Sequence, residues 1–194
     1  GRIITMQAAE VVFNPGVMIA GGNNNTNGCG AVYVGVNALL TMNGGVISDN
    51  NVSLAKHGGA IFVEGENAEL VINGGIIRDN KTAGNSGAIH LAKTTKFTLT
   101  GGLILNNTAS GVGGAMAFAG QNTVRISGGT ISGNVCGKTG NGIFIAAATG
   151  ETYLSGDFKC DEDIFLNAAG IVITLDGNLS ENQKILIAGS EATS

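Results

Sequence analysis

Asn43-Gly44-Gly45-Val46-Ile47-Ser48-Asp49-Asn50 returns as Asn73-Gly74-Gly75-Ile76-Ile77-Arg78-Asp79-Asn80, as Thr100-Gly101-Gly102-Leu103-Ile104-Leu105-Asn106-Asn107 and as Ser127-Gly128-Gly129-Thr130-Ile131-Ser132-Gly133-Asn134. The second glycines stand 30, 27 and 27 residues apart. A second motif interleaves with the first: Gly30-Ala31-Val32-Tyr33-Val34, Gly59-Ala60-Ile61-Phe62-Val63, Gly87-Ala88-Ile89-His90-Leu91, Gly114-Ala115-Met116-Ala117-Phe118 and Gly142-Ile143-Phe144-Ile145, at spacings of 29, 28, 27 and 28. Two motifs that keep one period define a repeat architecture.

Between them lies a third apolar run, Leu40-Thr41-Met42, Leu70-Val71-Ile72, Phe97-Thr98-Leu99 and Val124-Arg125-Ile126. Its apolar residues alternate at i and i+2, the mark of a strand with one buried face. Each repeat therefore reads as three short strands joined by Gly/Asn turns, with no stretch long enough for a crossover helix. The expected fold is all-β: a single-stranded right-handed parallel β-helix of six to seven coils, 27–30 residues per coil, forming a prism on the order of 30 Å long. Its core is expected to consist of columns of like residues, such as Ile47/Ile77/Ile104/Ile131 and Val32/Ile61/Ile89/Met116/Ile143. Asn50, Asn80, Asn107 and Asn134 recur after the third strand, where stacked amides form a structural ladder.

The ends depart from the repeat. One domain is expected over residues 1–189, with an irregular N-terminal coil over 1–28, regular coils over 29–148, irregular coils over 149–189, and a tail or linker over 190–194. The exposed end strands need covering, by atypical coils or by flanking domains of a larger chain. Gly1-Arg2-Ile3-Ile4 carries no signal peptide and is expected to be an interior stretch of such a chain.

Composition agrees with this reading and excludes several functions. Of 194 residues 33 are Gly, about twice the usual share, and 12% are charged, about half the ordinary fraction. The formal net charge is −4 and the ten Lys and Arg are scattered singly, so nothing marks a nucleic-acid partner. Residues 11–48 contain no charge, but the stretch from Gly21 to Gly28 interrupts them, so no membrane span is expected in this segment.

The alternating Gly-Gly-x-Ile-x-x-Asn and Gly-Gly-Ala-Ile units resemble the repeats of bacterial surface and adhesin-like β-helix proteins, including the GGAI and FxxN repeats of polymorphic outer-membrane autotransporters. From Asn14 to Leu175 the chain is similar to the wider pectin-lyase-like superfamily, although its units read GxIxxN and not a strict FxxN. The resemblance implies an extracellular or bacterial cell-surface location. It also points to carbohydrate, since enzymes of the superfamily use acidic residues on successive coils, with Ca²⁺ or a basic residue in the lyases.

Three constellations carry chemistry. On the Gly-Ala strands the outward positions are Tyr33, Phe62, His90, Ala117 and Phe144, continued by Phe165, which places a ring at five of six successive positions. Such a row is expected to bind a glycan or host surface ligand through an exposed face, the alternative being that another segment or subunit covers it. Asp49 and Asp79 stand on adjacent coils with Arg78 beside them, the spacing of a glycosidase pair with a basic helper; an Asx turn ladder is the competing reading. Asp157-Phe158-Lys159-Cys160-Asp161-Glu162-Asp163 is the one acidic run, where Ca²⁺ competes with a solvated turn. Otherwise no cofactor and no metal are expected.

His57 and His90 fall in different columns, and neither has a nucleophile adjacent in sequence. Cys29, Cys136 and Cys160 form no CxxC; Cys29 and Cys136 lie about four coils apart, while Cys136 and Cys160 are near enough for a bridge but are expected to be buried thiols. The sequence thus favours a non-catalytic module of a bacterial cell-surface or secreted adhesin-like protein. A polysaccharide lyase or glycoside hydrolase using Asp49, Asp79 and Arg78 is the first alternative, and a purely structural stalk the second.

Overall fold

The computed structural model describes residues 2–24, 30–147, 150–181 and 184–190. They form a parallel β-solenoid of about seven turns with no helix. Cys29 and residues 191–194 of the expected tail lie outside the described residues.

Each regular coil has four strands, not three. The first sheet has eight strands, from Ile4–Met6 through Val32–Val34, Ile61–Glu64, Ile89–Ala92, Met116–Phe118, Ile143–Ile145 and Asp163–Leu166 to Leu186–Gly189. The second runs over seven strands, Glu10–Phe13 to Ile173–Leu179, and the third over six, Met18–Ala20 to Lys159–Cys160. The fourth is built from pairs of residues: Asn23–Asn24, Asn51–Val52, Lys81–Thr82, Thr108–Ala109 and Val135–Cys136. A two-residue strand shows no alternation, so periodicity cannot reveal it.

Every strand pairs in parallel with its equivalent one coil away, in the register the motifs predict. Ile61 stands opposite Val32 and Ile89, Ile77 opposite Ile47 and Ile104, and Leu70 opposite Leu40 and Phe97. These columns are essentially closed to solvent, and Phe97, Phe118 and Phe158 are buried in the core. The stretch before residue 29 is already a coil with a strand on all four faces, since Ile4 pairs with Val32, Phe13 with Met42, Ile19 with Ile47 and Asn24 with Val52. At the other end the coils lose their fourth strand and then their third, and the second sheet shifts register between Leu154 and Gly156.

The Gly-Gly corner has a specific backbone reason. Gly45, Gly75, Gly102 and Gly129 occupy one column with φ of +82°, +93°, +94° and +86°, a region costly for any residue with a Cβ. Past the third strand the turn again enters the left-handed region, at Asp49, Asp79 and Asn106 with φ of +58°, +56° and +54° and then at Gly133. Asp and Asn tolerate this conformation best among side-chain-bearing residues. The next residue is the buried asparagine. The Asn50 side-chain amide donates to Asn80 Oδ1 at 2.9 Å, Asn80 to Asn107 Oδ1 at 3.0 Å, and Asn107 to Asn134 Oδ1 at 3.0 Å.

Candidate functional site

The outward row on the first sheet is stacked but covered. Tyr33 and Phe62 have ring centroids 5.9 Å apart, Phe62 and His90 5.3 Å, and Phe144 and Phe165 5.9 Å with nearly parallel planes. Ala117 separates the two groups. Yet Phe62, His90 and Phe144 are only 6%, 4% and 8% exposed, which corrects the expectation of an open aromatic platform. The turn leading into each strand folds back across its outer side: a Cβ on Gly113 would stand 3.1 Å from the Ala117 Cβ, and one on Gly140 3.0 Å from that of Phe144. Tyr33 and Phe165 remain half-buried at the two ends of the row. Tyr33 is held between the Arg2 guanidinium, 4.3 Å from its ring centre, and Glu64, to whose backbone and carboxylate oxygens its hydroxyl donates at 3.4 Å. Burial, reinforced by the Glu64 charge, pushes the Tyr33 hydroxyl pKa up.

The histidines that sequence placed in different columns meet in space. Between Val52 and Ile61 the connection has eight residues, two more than between Thr82 and Ile89, and the excess carries the His57 ring onto that of His90, 4.6 Å centre to centre. His90 Nδ1 shares a 2.9 Å hydrogen bond with the Ser86 hydroxyl, and His57 Nδ1 accepts the Asn85 N–H at 3.3 Å. Burial, and then the neighbouring His57, lower the His90 pKa to about 3; burial and Lys56 lower that of His57. The cluster has no catalytic geometry: the Ser86 hydroxyl is buried, and among the described residues neither ring meets a carboxylate. Because His57 Nδ1 accepts, the neutral ring carries its proton on Nε2, which disfavours a metal there. The arrangement is a clasp that closes the loop over the aromatic row.

The alternative catalytic residues Asp49, Asp79 and Arg78 lie at the turn that follows the third strand. Asp49 and Asp79 are exposed residues of the left-handed turn column, and Arg78 is ion-paired with its chain neighbour Asp79. The left-handed turn accounts for Asp49 and Asp79, while Arg78 is the last residue of the strand before it.

The acidic run closes the end of the regular coils. Asp161 accepts the Ser132 hydroxyl at 2.7 Å, Glu162 the Asn134 backbone N–H at 2.7 Å, and Asp163 the Asn141 N–H at 2.8 Å. Glu162 thus takes the place that the next asparagine of the ladder would hold, and burial raises its pKa. The three carboxylates turn to separate donors, and among the described residues no group of three or more His, Cys, Asp or Glu side chains is arranged to hold a metal. Cys136, on the fourth sheet, and Cys160, on the third, are both free thiols; burial pushes Cys160 up to about 12. A cleft of about 310 Å³ opens beside Cys160, where the third sheet ends, lined by the acidic Asp157, Asp161 and Glu181, the basic Lys159 and Lys184, and Phe158 and Ser180.

One surface was missed by the sequence reading. On the third sheet the column of half-buried Ile19 and buried Ile47, Ile77 and Ile104 is flanked by outward Met18, Val46, Ile76 and Leu103, in register on four adjacent coils. Met18 is 68% exposed, Leu103 is exposed, and Val46 and Ile76 are half-buried. Its signal was present in the triplets Ile76-Ile77-Arg78 and Leu103-Ile104-Leu105, where apolar residues stand beside the inward one. The continuous apolar run conceals the alternation.

No family model, no curated protein and no solved structure matches the chain. The class is therefore defined by the fold alone: a parallel β-solenoid whose corners are Gly-Gly turns and a buried amide ladder.

Proposed function

We propose that the protein is a non-catalytic binding module of a bacterial cell-surface or secreted adhesin-like protein, one that engages a glycan or host ligand through an exposed face of its solenoid. The observation that carries this reading is the fate of the acidic residues. Asp49 and Asp79 occupy the left-handed turn column, and Asp161, Glu162 and Asp163 accept hydrogen bonds from a hydroxyl and two backbone N–H groups. The chain builds long, in-register parallel faces, suited to presenting one row of side chains per coil. The resemblance of its repeats to those of bacterial surface β-helix proteins supports the location, with flanking domains in the same larger chain.

The test is a glycan array run beside an assay for unsaturated or reducing-end products from uronide and neutral polymers. Array binding without turnover is expected. Product formation by the wild type that is lost in Asp49→Asn would instead establish the lyase or hydrolase, and neither binding nor turnover would leave the structural stalk.

A further inference from the structure

Resting on the glycan-binding reading, we propose that the ligand surface is the outer side of the third sheet and that it takes a neutral, extended polysaccharide chain lying along the solenoid axis. The strip has an apolar floor of Met18, Val46, Ile76 and Leu103, widened by the half-buried Leu105. It is bordered on one side by an exposed row in which Asn43 donates to Asn14 Oδ1 at 3.5 Å, Asn73 to Asn43 Oδ1 at 2.9 Å, and Thr100 to Asn73 Oδ1 at 2.8 Å. The first two bonds each use one N–H of an amide that has two, which leaves a second donor on the exposed Asn43 and Asn73, and the third is donated by the Thr100 hydroxyl. The other border is the exposed turn row Asp49, Asp79 and Asn106.

Three features select the occupant. The floor spans about 20 Å by 10 Å, from strands about 4.8 Å apart and three residues long, far short of the roughly 800 Å² per partner of a stable protein interface. A narrow strip of this shape suits a single extended polymer. Next, its polar groups repeat once per coil on both borders, a spacing close to the length of one pyranose ring, so successive sugars meet equivalent donors and acceptors. The apolar C–H faces of the rings then lie on the aliphatic floor while ring hydroxyls reach the amides. Finally, over the four coils of the floor the border charge is negative at Asp49, and Arg78 is paired with Asp79; the next cation of the outward column, Lys159, stands two coils past Leu103. Neutral sugars are admitted and acidic ones are repelled.

The test is calorimetric titration of the 194-residue protein with β-1,4-linked gluco-, manno- and xylo-hexasaccharides, with hexagalacturonate as the acidic comparison. At least one neutral hexasaccharide is expected to bind, hexagalacturonate to bind more weakly, and the double variant Ile76→Lys/Leu103→Lys to lose about tenfold or more in affinity. Both side chains point outward, so its unfolding midpoint is expected to stay close to wild type. No binding of any neutral hexasaccharide, equal affinity in the double variant, or preference for hexagalacturonate would overturn the proposal. So would a concentration-dependent wild-type dimer that the double variant dissolves, which would make the strip a self-association face. Glycan-array hits that survive the double variant would sink this surface alone and leave the binding module standing, whereas an array without hits would remove both.

Discussion

Asn80 and Asn107 are 27 residues apart in the chain, yet the Asn80 side-chain amide and its backbone N–H both donate to the single Asn107 Oδ1, each at 3.0 Å. Asn107 in turn donates to the carbonyls of Ile77 and Leu105, so one amide joins three coils. Removing it strands several buried polar groups at once, each costing about 1–3 kcal/mol. Asn107→Ala is therefore expected to lower stability by roughly 3 kcal/mol or more, about 6–12 °C in the unfolding midpoint for a domain of this size. Asn106→Ala, one residue earlier on the exposed turn, is expected to cost only about 1 kcal/mol, the strain of a left-handed alanine. Equal effects in thermal melts of the two variants would show that the ladder is incidental.

Stability should fall on acidification, because the His90 pKa is lowered to about 3 and that of His57 is lowered as well. The native His90 pKa of about 3 lies below the ordinary histidine value of 6.5, because burial and His57 oppose the charge. Between those two values the unfolded chain takes up a proton that the native clasp refuses, so stability declines as pH drops from about 6.5, by at most about 1.4 kcal/mol per pH unit for one such group. Glu162 works in the opposite sense, since its raised native pKa relieves a burial cost as pH falls through the carboxylate range. The His90 effect is thus read best above pH 5. Denaturant unfolding of His90→Phe is expected to show a flatter stability profile between pH 7 and 5 than the wild type; identical slopes would exonerate the clasp.

Glu162 ends the ladder with a carboxylate where the coils before it use an amide. Its Oε1 accepts the Asn134 N–H, while its Oε2 is buried without a partner. Glu162→Gln preserves the acceptor and removes the desolvated charge, so it is expected to be neutral or stabilising at pH 7. Glu162→Ala leaves the Asn134 N–H unsatisfied and is expected to cost about 1–3 kcal/mol. Chemical denaturation of both variants checks the order, and a Gln variant less stable than the Ala one would refute the capping role.

The fold was legible because the information lies in spacing. The Gly-Gly corners, the Ile columns and the buried asparagines each repeat with the coil, and in a parallel stack equal spacing means direct contact, which fixed the register of Ile61 on Val32 and Ile89. The fourth sheet was hidden because Asn51–Val52 and its equivalents have only two residues, too few for a pattern. The site was less legible for a different reason. Alternation showed that Phe62, His90 and Phe144 point outward, but outward from a sheet is not outward to solvent. The turns that cover them, and the two extra residues that place His57 over His90, act across coils through loop geometry that no period encodes.

The two outward faces can be told apart by what their variants lose. Phe62 and Phe144 are packed beneath turns, Phe62 against the Tyr33 and His90 rings and Phe144 against Phe165. Truncating such a buried ring costs about 3–5 kcal/mol. Phe62→Ala and Phe144→Ala, each made singly, are therefore expected to lower the unfolding midpoint by roughly 6–20 °C, from about 2–4 °C per kcal/mol in a domain of this size. Below the new midpoint, affinity for a glycan bound by the wild type should be unchanged. Ile76→Lys/Leu103→Lys is expected to do the reverse, sparing the melt and lowering the affinity about tenfold or more, because both side chains lie on the outer side of the third sheet, away from the buried Ile77 and Ile104 column. Melting curves and titrations on the same preparations measure both quantities. Loss of affinity in folded Phe62→Ala, with the double variant binding normally, would return the ligand to the first sheet and make the covering turns a part of its site.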